Sequence, residues 1–151
     1  MMQIFRDRLG RLLGRRPDAM QVAALCICRD SRRVLLITSR GTGRWILPKG
    51  WPMPGRSMAE AAAQEAWEEA GVKGRLLPHA LGSYSYQKQQ DRGFAIPVRV
   101  QVYGIEVEDL DKGFPEADQR ERKWFGAQDA SDLVEEPGLK ALLRRMPAPT
   151  R

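Results

Sequence analysis

Apolar and polar positions change their pattern several times along these 151 residues. Residues 1–16, MMQIFRDRLGRLLGRR, set Ile4, Phe5, Leu9, Leu12 and Leu13 at helix-like spacing among arginines, which predicts an amphipathic extension. Beyond Pro17 the pattern turns strand-like. MQVAALCICRD and RRVLLITSR are apolar runs separated by the turn-like Arg29-Asp30-Ser31, and they predict a hairpin or adjacent strands. GTGRWILPKGWPMPG then reads as loop, short strand, loop. Ser57-x-x-Glu60 forms a capping box, and the alanine-rich MAEAAAQEAWEEA behind it has high helix propensity as far as Gly71, the expected left-handed C-cap. That spacing predicts a helix over 58–70. Further strands are expected in GRLLPHALGSYSYQ and AIPVRVQVYGIEVE, a short one at KWF, and two short helices in AQDASDLVEEPGLKALLRRM. Strands mixed with two or three helices around one sheet predict an α/β sandwich.

With 42% hydrophobic residues the chain can bury one sizeable core but not two, so one compact domain is expected. We divide it into the basic extension at 1–16, a domain at 17–146 and a loose tail at 147–151. No apolar run reaches 18 residues and no secretory signal is evident, which leads us to expect a cytoplasmic protein with no membrane span. Cys26 and Cys28 stand two apart in a strand-like run, on one face, and are expected to be reduced thiols rather than metal ligands. The net charge of +6 invites a nucleic-acid reading. Its location argues otherwise: five arginines against one aspartate put +4 into residues 1–16 and leave +2 for the other 135. The favoured role for that segment is docking its apolar stripe on the domain, with a membrane surface, RNA or a partner as alternatives.

The predicted helix carries the candidate chemistry. Glu65, Glu68 and Glu69 stand at i, i+3 and i+4, so their carboxylates project within one turn of one side. Like charges that close repel unless something positive sits among them. A hard divalent cation such as Mg2+ suits oxygen donors and often shares its shell with substrate phosphates. Taken alone the cluster is weak evidence, because glutamates are common on solvated helix faces.

The spacing back to the PKG loop changes that assessment. From Gly50 through Val72 the chain follows the pattern G-x5-E-x7-R-E-U-x-E-E-x-G-U, with U a bulky apolar residue. Gly50, Glu65, Glu68, Glu69, Gly71 and Val72 match, and Ala66 is a small occupant of a U position. Arg56 stands where the pattern has Glu, and Gln64 where it has Arg. On these residues the sequence resembles the Nudix hydrolases. The resemblance implies an α/β/α sandwich with a mixed sheet, whose catalytic loop-helix binds Mg2+, or Mn2+, and hydrolyses a diphosphate bond. By position it implies that Glu65, Glu68 and Glu69 are metal ligands, with Glu65 closer to a base role in some members, and that the Lys49 backbone carbonyl completes the metal shell. The Lys49 side chain would meet a substrate phosphate, and Arg44 and Arg56 are grouped with it as substrate contacts. The PKG form looks most like diadenosine tetraphosphate hydrolases and diphosphoinositol polyphosphate phosphohydrolase-like bacterial members.

In the family pattern the residues at the Arg56 and Gln64 positions can pair and brace the helix; here an arginine and an amide could share a hydrogen bond. A further acid is expected from the loop before a late strand, where FPEADQRERKW offers, in our order, Asp118, Glu121 and Glu116. Tyr86, alternating with Tyr84, is a candidate to stack a base. His79 has no spaced partner and is assigned no role. The expected partner is a small phosphorylated substrate. The alternatives are an RNA 5′-end pyrophosphohydrolase, with nucleic acid as a less favoured partner, and a non-hydrolytic ligand-binding module. Oligomeric state is not legible in the sequence.

Overall fold

A computed structural model describes residues 19–91 and 93–146; the basic extension at 1–16 and the tail at 147–151 lie outside the described residues. In chain order the elements are β1 (Ala19–Cys28), β2 (Val34–Thr38), β3 (Trp45–Ile46), β4 (Lys49–Gly50), α1 (Met58–Ala70), β5 (Val72–Gln89), β6 (Ala95–Leu110), β7 (Arg122–Phe125), α2 (Ala127–Leu133) and α3 (Pro137–Arg144). Among the described residues the strands make one mixed sheet, ordered β3-β2-β1-β6-β5, with β4 also paired to β1 and β7 to β2.

β1 owes its unbroken apolar run to its central place. It pairs in parallel with β6 from Ala19↔Val98 to Cys28↔Val107, and antiparallel with β2 and β4 on its other side. Both of its edges are thus paired, and its two faces are covered by α1 on one side and by α2 and α3 on the other, so polar alternation is lost. Val22, Ala24 and Cys26 face one core, with Ala59, Ala61, Ala62, Ala66 and Ala70 of α1. Ala23, Leu25 and Ile27 face the other, with Ala130, Val134, Leu139, Leu142 and Leu143 from the α2–α3 region. This is the α/β/α sandwich expected. Each fully buried leucine, such as Leu25, Leu36 or Leu143, contributes roughly 1.5–3 kcal/mol by leaving water. Burial also pushes the Cys26 thiol up to about 12, so it stays protonated and inert.

α1 begins and ends as its sequence dictates. Ser57 Oγ accepts from the Glu60 amide at 3.0 Å, and Glu60 Oε1 accepts from the Ser57 amide at 2.9 Å. Gly71 closes the helix at φ +67°, where a side chain would be strained. The alanine face has no bulky side chain to hold the helix off the sheet. The PKG loop departs from the single short strand expected there, forming the two short strands β3 and β4. β4 is pinned to β1 at Val22↔Gly50 and Ala23↔Lys49, and the Pro48 carbonyl accepts from the Ala24 amide at 2.9 Å. The loop thus hangs from the centre of the sheet.

Candidate functional site

Where β4 meets the flank of α1, a cleft of about 520 Å3 opens. Lys49, Gly50, Glu65, Glu69, Glu116 and Arg120 form its polar part; Trp51, Met53, Tyr86 and Lys88 border it. Gly50 is favoured by closeness rather than by φ: a Cβ there would land on the Glu65 carboxylate and push it from its present place. Contacts made by Lys49, Glu116 and Arg120 set the acids. The Lys49 amide donates to Glu69 Oε1 at 3.4 Å. The Glu116 amide donates to the Glu68 carbonyl at 3.0 Å, which ties the loop before β7 to the last turn of α1 and satisfies one of its open carbonyls. Arg120, nearly buried, donates through Nε to Glu116 Oε1 at 3.1 Å and through Nη1 to the Thr38 carbonyl at 3.0 Å; its Nη2 lies 3.1 Å from Glu116 Oε1 and 3.6 Å from Glu69 Oε1.

Burial and crowding raise the acids' proton affinity. Glu65 is pushed up to about 8, first by desolvation, then by its hydrogen bond with Glu69 and the charges of Glu69, Glu68 and Glu116. Glu69 is also raised, by desolvation, although its hydrogen bond from Glu65 and the nearby Arg120 oppose the rise. The two behave as a pair sharing a proton. Desolvation pulls the Lys49 ammonium below the ordinary lysine range, against Glu69 and Glu136, which favour its charge. Its Nζ stands 5.3 Å from the Tyr86 ring centroid, and the Tyr86 hydroxyl donates to Gln21 Oε1 at 2.6 Å.

The structure gathers some of the expected residues and separates others. Lys49, Glu65, Glu69 and Tyr86 border one cleft. Glu68 does not: its Oε1 accepts from Gln64 Nε2 at 2.9 Å, beside the cleft. Arg56 does not line this cleft: its Nη1 donates to Gln64 Oε1 at 3.1 Å, so the bond expected between positions 56 and 64 is present. Arg44 does not line it either. It turns to Glu136 at 3.0 Å and Glu135 at 3.3 Å, and Glu136 is buried, so the arginine is held as its counter-charge. Of the loop acids, Glu116 lines the cleft, while Asp118 and Glu121 line a neighbouring open hollow with Ser39 and Gly41. The tether to Glu68 and the Arg120 clamp hold Glu116 there. Tyr84, unlike Tyr86, is buried in the core. Sequence reading missed Arg120, Arg40 and Lys88; the i, i+4 spacing of Glu116 and Arg120 was the one local signal.

The donor set fits a hard divalent cation in kind. Glu65, Glu69 and Glu116 bring carboxylate oxygens into one cleft, and Glu65 and Glu69 lie close enough to share a proton, the position a cation would relieve. Among the described residues no three acidic, histidine or cysteine side chains are already converged on one point. The Arg120 guanidinium, its Nη2 3.6 Å from Glu69 Oε1, offsets part of the acids' charge.

Comparison with known proteins gives the family. The NUDIX domain model matches residues 19–146, and the chain belongs to the NUDIX family, as a Nudix-type pyrophosphohydrolase acting on small phosphorylated substrates. Human diphosphoinositol polyphosphate phosphohydrolase 3-beta is 35% identical, over 79% of this chain and 72% of its own. Nudix hydrolase 16, mitochondrial, of Arabidopsis thaliana is 30% identical over 90% of this chain and 84% of its own. Among solved structures, a NUDIX hydrolase from Nitrosomonas europaea superposes with TM-score 0.62 at 20% identity, covering 85% of this chain and 87% of its own. The C. elegans Ap4A hydrolase gives 0.59 at 20%, covering 85% and 95%; at that identity the likeness is one of fold. Enzymes of this family generally use divalent metals. Among the described residues no helix is long and apolar enough to cross a membrane.

Proposed function

We propose that this chain is a Mg2+-dependent hydrolase, with Mn2+ as a substitute, that cleaves a diphosphate bond in a nucleoside polyphosphate or a diphosphoinositol-polyphosphate-like molecule. The observation that carries the reading is the meeting of Lys49, Glu65, Glu69 and Glu116 in one cleft. The identity with diphosphoinositol polyphosphate phosphohydrolases supports the substrate class, as does the PKG loop. Glu65 and Glu69, with Glu68 beside them, would hold the cation together with the Lys49 carbonyl. When bound, such an ion neutralises charge on the phosphates as the P–O bond breaks. Lys49 brings an ammonium, already short of water, to a substrate phosphate. Glu116 is the loop acid on this reading and takes the proton of the attacking water, its Oε1 held in place by Arg120. Tyr86 offers a ring face at the cleft edge for a base or other flat group. The cytoplasm remains the proposed compartment.

The test is a substrate panel of diadenosine polyphosphates, ADP-ribose, diphosphoinositol phosphates and 5′-triphosphorylated RNA, each with and without Mg2+. Mg2+-dependent release of phosphate or nucleotide from the first or third class supports the proposal. Turnover confined to RNA, needing residues 1–16 and falling steeply with salt, would favour 5′-end processing. Binding without turnover anywhere in the panel would favour a ligand-binding module.

A further inference from the structure

The two positions where the chain departs from the Nudix pattern are not independent. Arg56 Nη1 donates to Gln64 Oε1 at 3.1 Å, and the other end of the same amide, Nε2, donates to Glu68 Oε1 at 2.9 Å. An amide has one accepting and one donating end, and the guanidinium can only donate. Arg56 therefore fixes which way the Gln64 amide lies, and that orientation presents N–H to Glu68 rather than a carbonyl oxygen that would repel it. Gln64 and Glu68 stand at i, i+4 on α1, one above the other. Arg56 sits in the turn before the Ser57 cap, where the Arg56 amide donates to the Met53 carbonyl at 3.2 Å.

We propose that Gln64, oriented by Arg56, is a positioning residue that aims the Glu68 carboxylate, so that an arginine–amide–carboxylate relay replaces the Glu–Arg pair of the family pattern. The inference rests on the reading of Glu68 as a metal ligand. In that reading the relay has a job that a surface contact lacks. It limits the carboxylate's rotation beside the cleft while leaving it negative, because a neutral amide does not cancel the charge as a guanidinium at position 64 would. Outer partners of metal-holding groups characteristically change metal affinity or activity by about 10–100-fold when removed.

The test is a mutant cycle on the full chain, read by Mn2+ binding in titration calorimetry, with turnover of a diadenosine polyphosphate and the chelated thermal midpoint alongside. Gln64→Ala should weaken Mn2+ binding about tenfold with little change in the midpoint, and Arg56→Met should weaken it by several-fold. Arg56→Met on top of Gln64→Ala should cost nothing further, since the relay is already broken. Arg56→Glu combined with Gln64→Arg, which reinstates the family pair, should bind Mn2+ within about threefold of the parent. Equal effects of Arg56→Met in the parent and in the Gln64→Ala variant would overturn the relay, as would unchanged Mn2+ affinity in Gln64→Ala. Glu68→Gln separates the two levels of the claim. If it leaves Mn2+ affinity and turnover intact, the ligand reading of Glu68 fails and the relay with it. Should Glu68→Gln abolish both while the cycle is additive, only the relay is overturned.

Discussion

Replacing Glu65 by glutamine tests whether the cleft acids are forced together. In the metal-free fold Glu65 is pushed up to about 8 from its ordinary value of 4.5, chiefly by desolvation and then by Glu69. A carboxyl whose folded pKa is raised contributes stability that is complete below pH 4.5 and is lost as the pH climbs through about 8. Each pH unit in that window is worth about 1.4 kcal/mol for an unscreened group. Glu65 is only about half-buried, so solvent screening reduces the total from a nominal 5 to about 1–2 kcal/mol. Glutamine keeps a donor for Glu69 and has nothing to ionise. For a chain of 151 residues that difference corresponds to about 2–8 °C in the thermal midpoint. The assay is thermal unfolding of parent and Glu65→Gln in chelator at several values from pH 5 to pH 9. The midpoint of the variant minus that of the parent should grow with pH and level off above about 8. Saturating Mg2+ should shrink the difference or reverse its sign, since the parent then gains a ligand's worth of binding. Parallel curves in chelator would refute the reasoning that Glu65 is crowded into holding a proton.

Other outcomes follow from the same geometry. Gly50→Ala should cost up to about 1–3 kcal/mol of overpacking, seen as a lower chelated midpoint, and sharply reduce turnover, because the added methyl meets the Glu65 carboxylate; normal kinetics would show that the Glu65 side chain moves aside without loss. Glu116→Gln should cut kcat by at least about tenfold while Asp118→Asn and Glu121→Gln stay near the parent, and the opposite ranking would return the loop acid to Asp118. Lys49→Met should lower kcat/KM on a diadenosine polyphosphate by about ten- to a hundredfold, the worth of a charged hydrogen bond, and by less on ADP-ribose; equal losses on both would remove the phosphate contact. Arg44→Met should leave KM nearly unchanged and lower the midpoint, since it strands the buried Glu136.

The parts legible in the sequence are those written in local spacing. The capping box and Gly71 delimit α1, and the count from Gly50 to Val72 ties the PKG loop to the helix acids. What the sequence does not reveal is governed by distant contacts. Arg44 reads as a loop cation because nothing nearby reveals Glu136, 92 positions later. The segment FPEADQRERKW offers three acids, and the loop is registered by the Glu116 amide on the Glu68 carbonyl, a bond between segments whose meeting no periodicity encodes. Arg56 and Gln64 sit in between: their pairing could be foreseen from the family pattern, but not the onward bond to Glu68.

The parallel pairing of β1 with β6 joins residues about eighty positions apart, and this bears on the order in which the protein comes into being. A nascent chain makes β1, the PKG loop and α1 first, so the acids on α1 emerge before β6, and before Glu116 and Arg120, exist. Until β6 arrives, the central strand lacks its longest neighbour and the α1 face has only part of its sheet to rest on. The guanidinium that balances Glu69 is thus among the later pieces delivered, and contacts this far apart are slow to close. Refolding should accordingly recover helix signal early and the protection of the β1–β6 ladder only with the last cooperative phase. Pulse-labelled hydrogen exchange reads both. The newborn site is an acidic ledge with Lys49 beside it, and the rest of the chain must be synthesised before Arg120 joins them.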